Sequence, residues 1–258
     1  MNLRVAIVQF DIVWEDKKAN LDKVETFISN IAGQADLVVL PEMFTTGFSM
    51  NSAKLSEENS GNTMQHVSDW AKRFDVAICG SFIATENGNF YNRGFFITAN
   101  TQRFYNKRHL FRMGDEPKYF SNGKKRLIVE HKGFKICLLV CYDLRFPVWA
   151  RNVNNEYDLL IYVANWPASR AAVWSSLLVA RAIENMAYVC GVNRVGKDGL
   201  NLVYDGRSAV IDAKGKPITN VSNGIEAVEI VEISKEKLDD FRAKFPVWKD
   251  ADSFDIKY

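Results

Sequence analysis

The chain has 258 residues, 47% of them hydrophobic, which is enough apolar material for one sizeable core. Its 33 basic and 31 acidic side chains nearly cancel to a net charge of +2, and no basic stripe with interleaved aromatics marks a nucleic-acid surface. No apolar run approaches the ~20 residues of a membrane span.

From the N-terminus, Leu3–Phe10 reads as a strand that begins at once. No basic start, apolar stretch and small-residue cleavage site precede it, so a cytoplasmic location is expected. Asp16 caps a helix expected over residues 17–33, with Leu21, Val24, Ile28 and Ile31 at helical spacing. Asp36-Leu37-Val38-Val39-Leu40 is a run apolar enough to be a strand buried on both faces, and Pro41-Glu42 leaves it. Glu42 therefore sits at a strand's carboxyl end, where ligands collect in layered α/β folds.

A second helix is expected over residues 63–74, followed by a strand at Val76–Gly80. Asn92–Thr98 and Gln102–Tyr105 read as further strands, with Lys107 a charge just past the second. Lys135–Val140 is a strand that delivers Cys141 onto the polar turn Tyr142-Asp143-Leu144-Arg145, and Pro147 begins a helical segment. That arrangement holds a nucleophile on a bend, with backbone N–H groups near for a developing oxyanion. Asp143 and Arg145 flank the thiol and are expected to pair with each other across the turn. Tyr157–Ala164 is a buried strand, Trp174, Leu178, Ala182 and Met186 stripe the helix after it, and Ala187–Val192 returns as a strand. Beyond Leu200 the pattern shortens into hairpins around Asp205-Gly206 and Lys214-Gly215.

The four cysteines, Cys79, Cys137, Cys141 and Cys190, are scattered without a CxxC pair, as in a reducing compartment. All but Cys141 lie inside apolar strands and read as packing residues. His66, His109 and His131 form no zinc spacing with them, so no metal and no cofactor are expected. His109 competes with Glu42 as a base for the thiol. Its place two residues from Lys107 on a polar stretch suits a local hydrogen-bonding role better.

Leu40-Pro41-Glu42-Met43-Phe44, Tyr105–Phe111, Cys141–Pro147, Asn165-Trp166-Pro167, Arg181–Asn185 and Gly191–Gly196 occur in one order along the chain. Together they resemble the nitrilase superfamily of carbon–nitrogen hydrolases, and the likeness covers nearly the whole chain. Within it, Asn165–Arg170 and Phe245–Asp252 are most similar to the omega-amidases, which hydrolyse the terminal amide of 2-oxoglutaramate and related short 2-oxo acid amides.

The resemblance implies a four-layer α-β-β-α sandwich of two mixed sheets, formed as one domain over residues 1–258 with 245–258 as a docking tail, and a homodimer. It implies Glu42 as base, Lys107 as oxyanion cation and Cys141 as nucleophile. Glu116, in Gly114-Asp115-Glu116-Pro117, corresponds to the family's second glutamate, expected to orient the lysine or the water.

The backbone N–H of Tyr142 is expected to be a second oxyanion donor. Trp166, past the end of a strand, is expected as a pocket wall. Arg170, in the following loop, is expected to hold a substrate carboxylate, with Arg207 as second choice. The activity expected is a thiol-dependent amidase forming a thioester. A related hydrolase of N-carbamoyl compounds, nitriles or other small amides, and a non-catalytic binding protein of the same fold, are the alternatives.

Overall fold

The computed structural model describes residues 1–256. In chain order it runs β1 (Asn2–Gln9), α1 (Lys17–Asn30), β2 (Leu37–Val39), α2 (Ser52–Leu55), α3 (Asn62–Arg73), β3 (Ala77–Glu86), β4 (Asn89–Ile97) and β5 (Gln102–Asn106). Then follow α4 (Glu116–Tyr119), β6 (Leu127–His131), β7 (Phe134–Val140), α5 (Pro147–Ala150), β8 (Leu159–Ala164), α6 (Ala171–Asn185) and β9 (Tyr188–Asn193). The chain finishes with β10 (Val195–Lys197), β11 (Val203–Asp205), β12 (Ala209–Ile211), β13 (Ala227–Ser234) and α7 (Lys235–Lys244).

Two mixed sheets result, one in the order β13-β1-β2-β3-β4-β5 and one in the order β12-β9-β8-β7-β6. In the first, β1, β2 and β3 are parallel; in the second, β7, β8 and β9 are parallel. Both faces of the first sheet are apolar, and the alternation along each strand shows why. Leu3, Val5 and Ile7 of β1, with Leu37 and Val39 of β2, join the core shared with the second sheet. Ala6, Val8 and Val38 point the other way, onto Leu21, Val24 and Ile28 of α1 and Val67 and Trp70 of α3. A strand buried on both sides needs this unbroken apolar run.

The second sheet is covered by α6 through Trp174, Leu178 and Ala182. Gly191 lets that helix approach: a Cβ there would lie 2.5 Å from a Leu178 methyl. Helix, sheet, sheet and helix make the four expected layers.

Three local expectations need correction. The first helix stops at Asn30, not at 33; its Asp16 cap is real, accepting from Ala19 N at 3.0 Å, but the chain turns at Ile31 and reaches a left-handed Gly33 (φ 74°). The strand expected at 76–80 continues to Glu86, because the whole β3–β4 hairpin is paired down to Glu86↔Asn89. Asp205-Gly206 is not a hairpin turn: β11 pairs with β10, whereas β12 pairs with β9, so these residues carry the chain from a small separate ribbon back to the main sheet. Lys214-Gly215 does close a tight antiparallel turn, with Ile211 opposite Pro217. In the last segment Ile256 packs against the core of its own chain, and Phe254, half exposed, lines a surface groove with Pro147, Val148 and Glu184. The tail's final residues, 257 and 258, lie outside the described residues.

Candidate active site

Strand ends from both sheets meet at one end of the sandwich. Glu42 follows β2, Lys107 follows β5, Cys141 follows β7 and Asn165 follows β8, while Glu116 opens α4. Glu42, Lys107 and Glu116 are wholly buried, and Cys141 is 8% exposed. Lys107 Nζ donates to Glu42 Oε1 at 2.9 Å and to both oxygens of Glu116, at 3.0 and 2.9 Å.

Asn92 Nδ2 donates to the same two carboxylates, at 2.7 Å to Glu42 Oε1 and 3.0 Å to Glu116 Oε1. The Asn92 side chain is oriented in turn by Ser81, whose hydroxyl donates to Asn92 Oδ1 at 3.0 Å and accepts from Met43 N at 2.8 Å. The other Glu42 oxygen, Oε2, accepts from Asn165 N at 2.8 Å, tying the two sheets together through one carboxylate. Such a network leaves each carboxylate a single orientation.

Cys141 itself adopts a left-handed backbone (φ 47°) at the head of a 3-10 turn over Cys141–Arg145. The conformation is costly for a residue with a Cβ, and it swings the thiol out of the strand that buries Cys137. Asp143 holds the turn. Its Oδ2 accepts from Val140 N at 3.1 Å and from the Tyr105 hydroxyl at 2.7 Å, and its Oδ1 from His109 N at 2.9 Å and His109 Nδ1 at 2.8 Å. The expected Asp143–Arg145 pair is therefore absent: Asp143 is buried beneath the turn, and Arg145 is exposed above it with its guanidinium over the Trp166 ring. His109, stacked on Phe146 at 3.8 Å, is committed to Asp143, the local role expected of it.

The charges are two carboxylates against one ammonium, and the thiol feels the excess. Burial pushes the Cys141 pKa well above the ordinary thiol range, and the Glu42 charge raises it further, opposed by Lys107. The Lys107 charge, which favours the thiolate, is outweighed in the folded protein, so the neutral thiol is the favoured form. Burial acts to lower the Lys107 pKa, but Glu116 and Glu42 more than offset it, so the ammonium is held protonated more firmly than a free lysine. Glu116 is shifted upward, mainly by burial and against the pull of Lys107. Lys107 occupies the place between the carboxylates that a cation would take. Among the described residues no group of three or more His, Cys, Asp or Glu side chains is placed to hold a metal ion.

Residues 4–243 match the family model for carbon-nitrogen hydrolases. The chain belongs to that family. It is 46% identical to the protein named Omega-amidase YafV from Escherichia coli (strain K12), covering 98% of each chain. It is 33% identical to 2-oxoglutaramate amidase from Bacillus subtilis (strain 168), over 97% of this chain and 98% of the relative. Among solved structures, a CN-hydrolase superfamily protein from Xanthomonas campestris, described with an arsenic adduct in its active site, is 42% identical and superposes with a TM-score of 0.97 over all of both chains.

In this carbon-nitrogen hydrolase, Cys141 opens onto a cavity of about 390 Å³. Phe48, Met50, Phe111, Leu200 and Leu202 make most of its wall apolar. Tyr142 lines it with its ring edge-on to Phe111 at 5.1 Å. Trp166 lines the cavity and also packs on Trp174 at 5.6 Å in the core. Its indole N–H donates to the Arg170 carbonyl at 2.9 Å. Arg170 is on the wall, with its guanidinium over the Phe111 ring at 5.3 Å. Arg207 is not; it pairs with Asp205 at 2.8 Å and does not line the cavity.

Sequence reasoning missed Arg145 as a second pocket cation, Asn92 as the bridge between the glutamates, and Tyr204, whose hydroxyl donates to Asp198 at 2.8 Å across the cavity wall. Asn92 did carry a signal: a carboxamide at a buried position of an apolar strand demands partners.

Proposed function

We propose that the protein is an omega-amidase, hydrolysing the terminal amide of a short 2-oxo acid amide such as 2-oxoglutaramate to carboxylate and ammonia. The observation that carries the reading is the pairing of two arginines, Arg145 and Arg170, with a buried thiol in one small and mostly apolar cavity, whose one carboxylate, Asp198, is taken up by the Tyr204 hydroxyl and the Leu200 and Leu202 N–H groups. A substrate with a carboxylate at one end and a carboxamide at the other fits that polarity. The 46% identity to an omega-amidase along 98% of both chains supports it.

In the reaction, Glu42 takes the Cys141 proton as sulfur attacks the amide carbon. Proton and bond move together, because the free thiolate is disfavoured beside two carboxylates. Lys107 and the Tyr142 N–H, which its position at the start of a turn leaves without an intrahelical partner, receive the oxyanion. Glu42 returns the proton to nitrogen as the C–N bond breaks, and ammonia leaves a thioester. Glu42 then deprotonates water, which adds to the thioester, and the carboxylic acid departs as the thiol reforms. Glu116 acts as a positioning residue, holding Lys107 through both of its oxygens. Trp166 forms the floor under Arg145.

The active unit spans residues 1–258, works in the cytoplasm as a homodimer, and uses no metal or cofactor. Light scattering tests the dimer: it is expected to give twice the 29.4 kDa chain mass. For the substrate, Arg170→Ala is expected to raise KM for 2-oxoglutaramate roughly ten- to hundredfold and to leave an uncharged amide of similar size nearly unaffected, as loss of a charge-assisted hydrogen bond requires. Equal losses on both amides would reject the carboxylate role.

A further inference from the structure

One residue of the cavity wall carries a buried polar atom without a hydrogen-bond partner among the described residues. Asn165 closes β8 with its side chain fixed from two directions. Its Nδ2 donates to the Glu42 carbonyl at 2.5 Å, and its backbone N–H donates to Glu42 Oε2 at 2.8 Å. Its Oδ1 is buried and receives no hydrogen bond from any described residue. The other buried oxygens in that condition, on Asn155, Tyr162 and Asp205, belong to residues off the cavity; Asn165 lines it with Cys141. An acceptor kept from water without a donor is costly, so it is retained where a ligand supplies the donor.

The chemistry of the neighbours says which donor is meant. Lys107 and the Tyr142 N–H can only donate, so they suit the carbonyl oxygen and repel the N–H groups of a carboxamide. Glu42 is an acceptor at rest, but once it holds the thiol proton it must donate to nitrogen. When the tetrahedral intermediate collapses, the nitrogen takes that proton on its lone pair, the C–N electron pair stays with nitrogen, and its two N–H bonds face elsewhere. We propose that Asn165 Oδ1 accepts one of these N–H bonds, turning the nitrogen lone pair toward Glu42 and making Asn165 the residue that selects a carboxamide over the ester of the same acid. The inference rests on the amidase reading above and adds the group that recognises the scissile nitrogen.

The test compares kcat/KM for 2-oxoglutaramate with that for the corresponding methyl ester, in the full chain. The ester needs Cys141, Glu42 and the oxyanion donors equally but has no N–H to offer. Asn165→Ala is expected to lower the amide value about ten- to hundredfold more than the ester value. Asn165→Leu, which keeps the number and branching of heavy atoms, should show the same selective loss even if the alanine variant folds poorly. Asn165→Asp retains an oxygen acceptor and should keep the amide-to-ester ratio near wild type, although both rates fall from the added charge beside Glu42. Equal losses on amide and ester in the alanine and leucine variants would overturn the inference, because Asn165 would then act only by holding Glu42. If the wild type prefers another primary amide, the substrate assignment falls, and the same ratio measured on that amide and its ester decides the inference. A wild type that hydrolyses nitriles or carbamoyl compounds and no primary amide overturns both.

Discussion

Replacing Lys107 with methionine removes the one cation that separates two buried carboxylates. The ammonium lies 2.9–3.0 Å from three carboxylate oxygens, all wholly buried. At an effective dielectric of ~20, a contact of that length has a gross Coulomb energy of roughly 5–6 kcal/mol, much of it offset by desolvation of the charges. Removing one partner leaves the desolvation uncompensated and typically costs ~3–5 kcal/mol, against a total stability of ~5–15 kcal/mol. For a chain of this size the midpoint should fall by roughly 6–20 °C.

The loss must also depend on pH. Without Lys107, Glu116 shares Asn92 with the other carboxylate and loses the charge that opposed its upward shift, so it holds its proton more firmly than a carboxyl in the unfolded chain. A folded-state pKa raised above the unfolded value means that stability is present at low pH and is lost as pH rises through the folded pKa. The gap between wild type and variant should therefore be small near pH 5 and full-sized at pH 8. Urea unfolding at the two pH values measures it, and Lys107→Met/Glu116→Gln should recover part of the stability without recovering turnover. Equal gaps at both pH values, or a gap below ~1 kcal/mol at pH 8, would refute the account of the charge cluster.

Two further outcomes are expected. Iodoacetamide should label Cys141 before the other thiols, since Cys141 is partly exposed on the cavity wall while Cys79, Cys137 and Cys190 are wholly enclosed; the Cys141 rate should keep rising past the ordinary thiol range near ~8.5, and Glu42→Gln should speed alkylation at pH 8 while abolishing hydrolysis, as mass spectrometry and ammonia release would show. Gly191→Ala should destabilise by about 1–3 kcal/mol in urea titrations, because the new Cβ meets Leu178 at 2.5 Å and Trp174 at 2.9 Å.

What could be read from the chain alone follows from where the physics is local. Leu37–Leu40 and Ile136–Val140 announce buried strands because both faces must be apolar, and a charged or nucleophilic residue directly after such a run, Glu42 or Cys141, is conspicuous. The wider scaffold and the place of Glu116 came from family likeness. Contacts between distant segments left no such trace. Asp143 is two residues from Cys141 in sequence, but its partners Tyr105 and His109 come from the other sheet's edge, so local reasoning assigned it to Arg145 instead. Asp205-Gly206 has the composition of a hairpin turn, and only the competition between β10 and β9 for neighbouring strands decides that it is a crossover. Asn165 was visible as part of a motif, but its unpaired oxygen appears only once Glu42, more than a hundred residues earlier, is seen to occupy its other polar groups.

The pairing of β1 with β13, from Asn2↔Ser234 to Gln9↔Ala227, has a consequence for biosynthesis. β1 is made long before the strand that pairs with its outer edge. Until residue 234 emerges, one whole edge of β1 is open, on a ribbon whose two faces are both apolar. Nascent chains stalled or truncated before that point carry an adhesive border that can be capped only by another polypeptide, whether a chaperone or a second unfinished copy. Closing contacts so far apart in sequence also makes this sheet slow to complete. A frameshift late in the coding sequence, though distant from Cys141, is thus expected to yield insoluble protein and not a soluble enzyme with a ragged end.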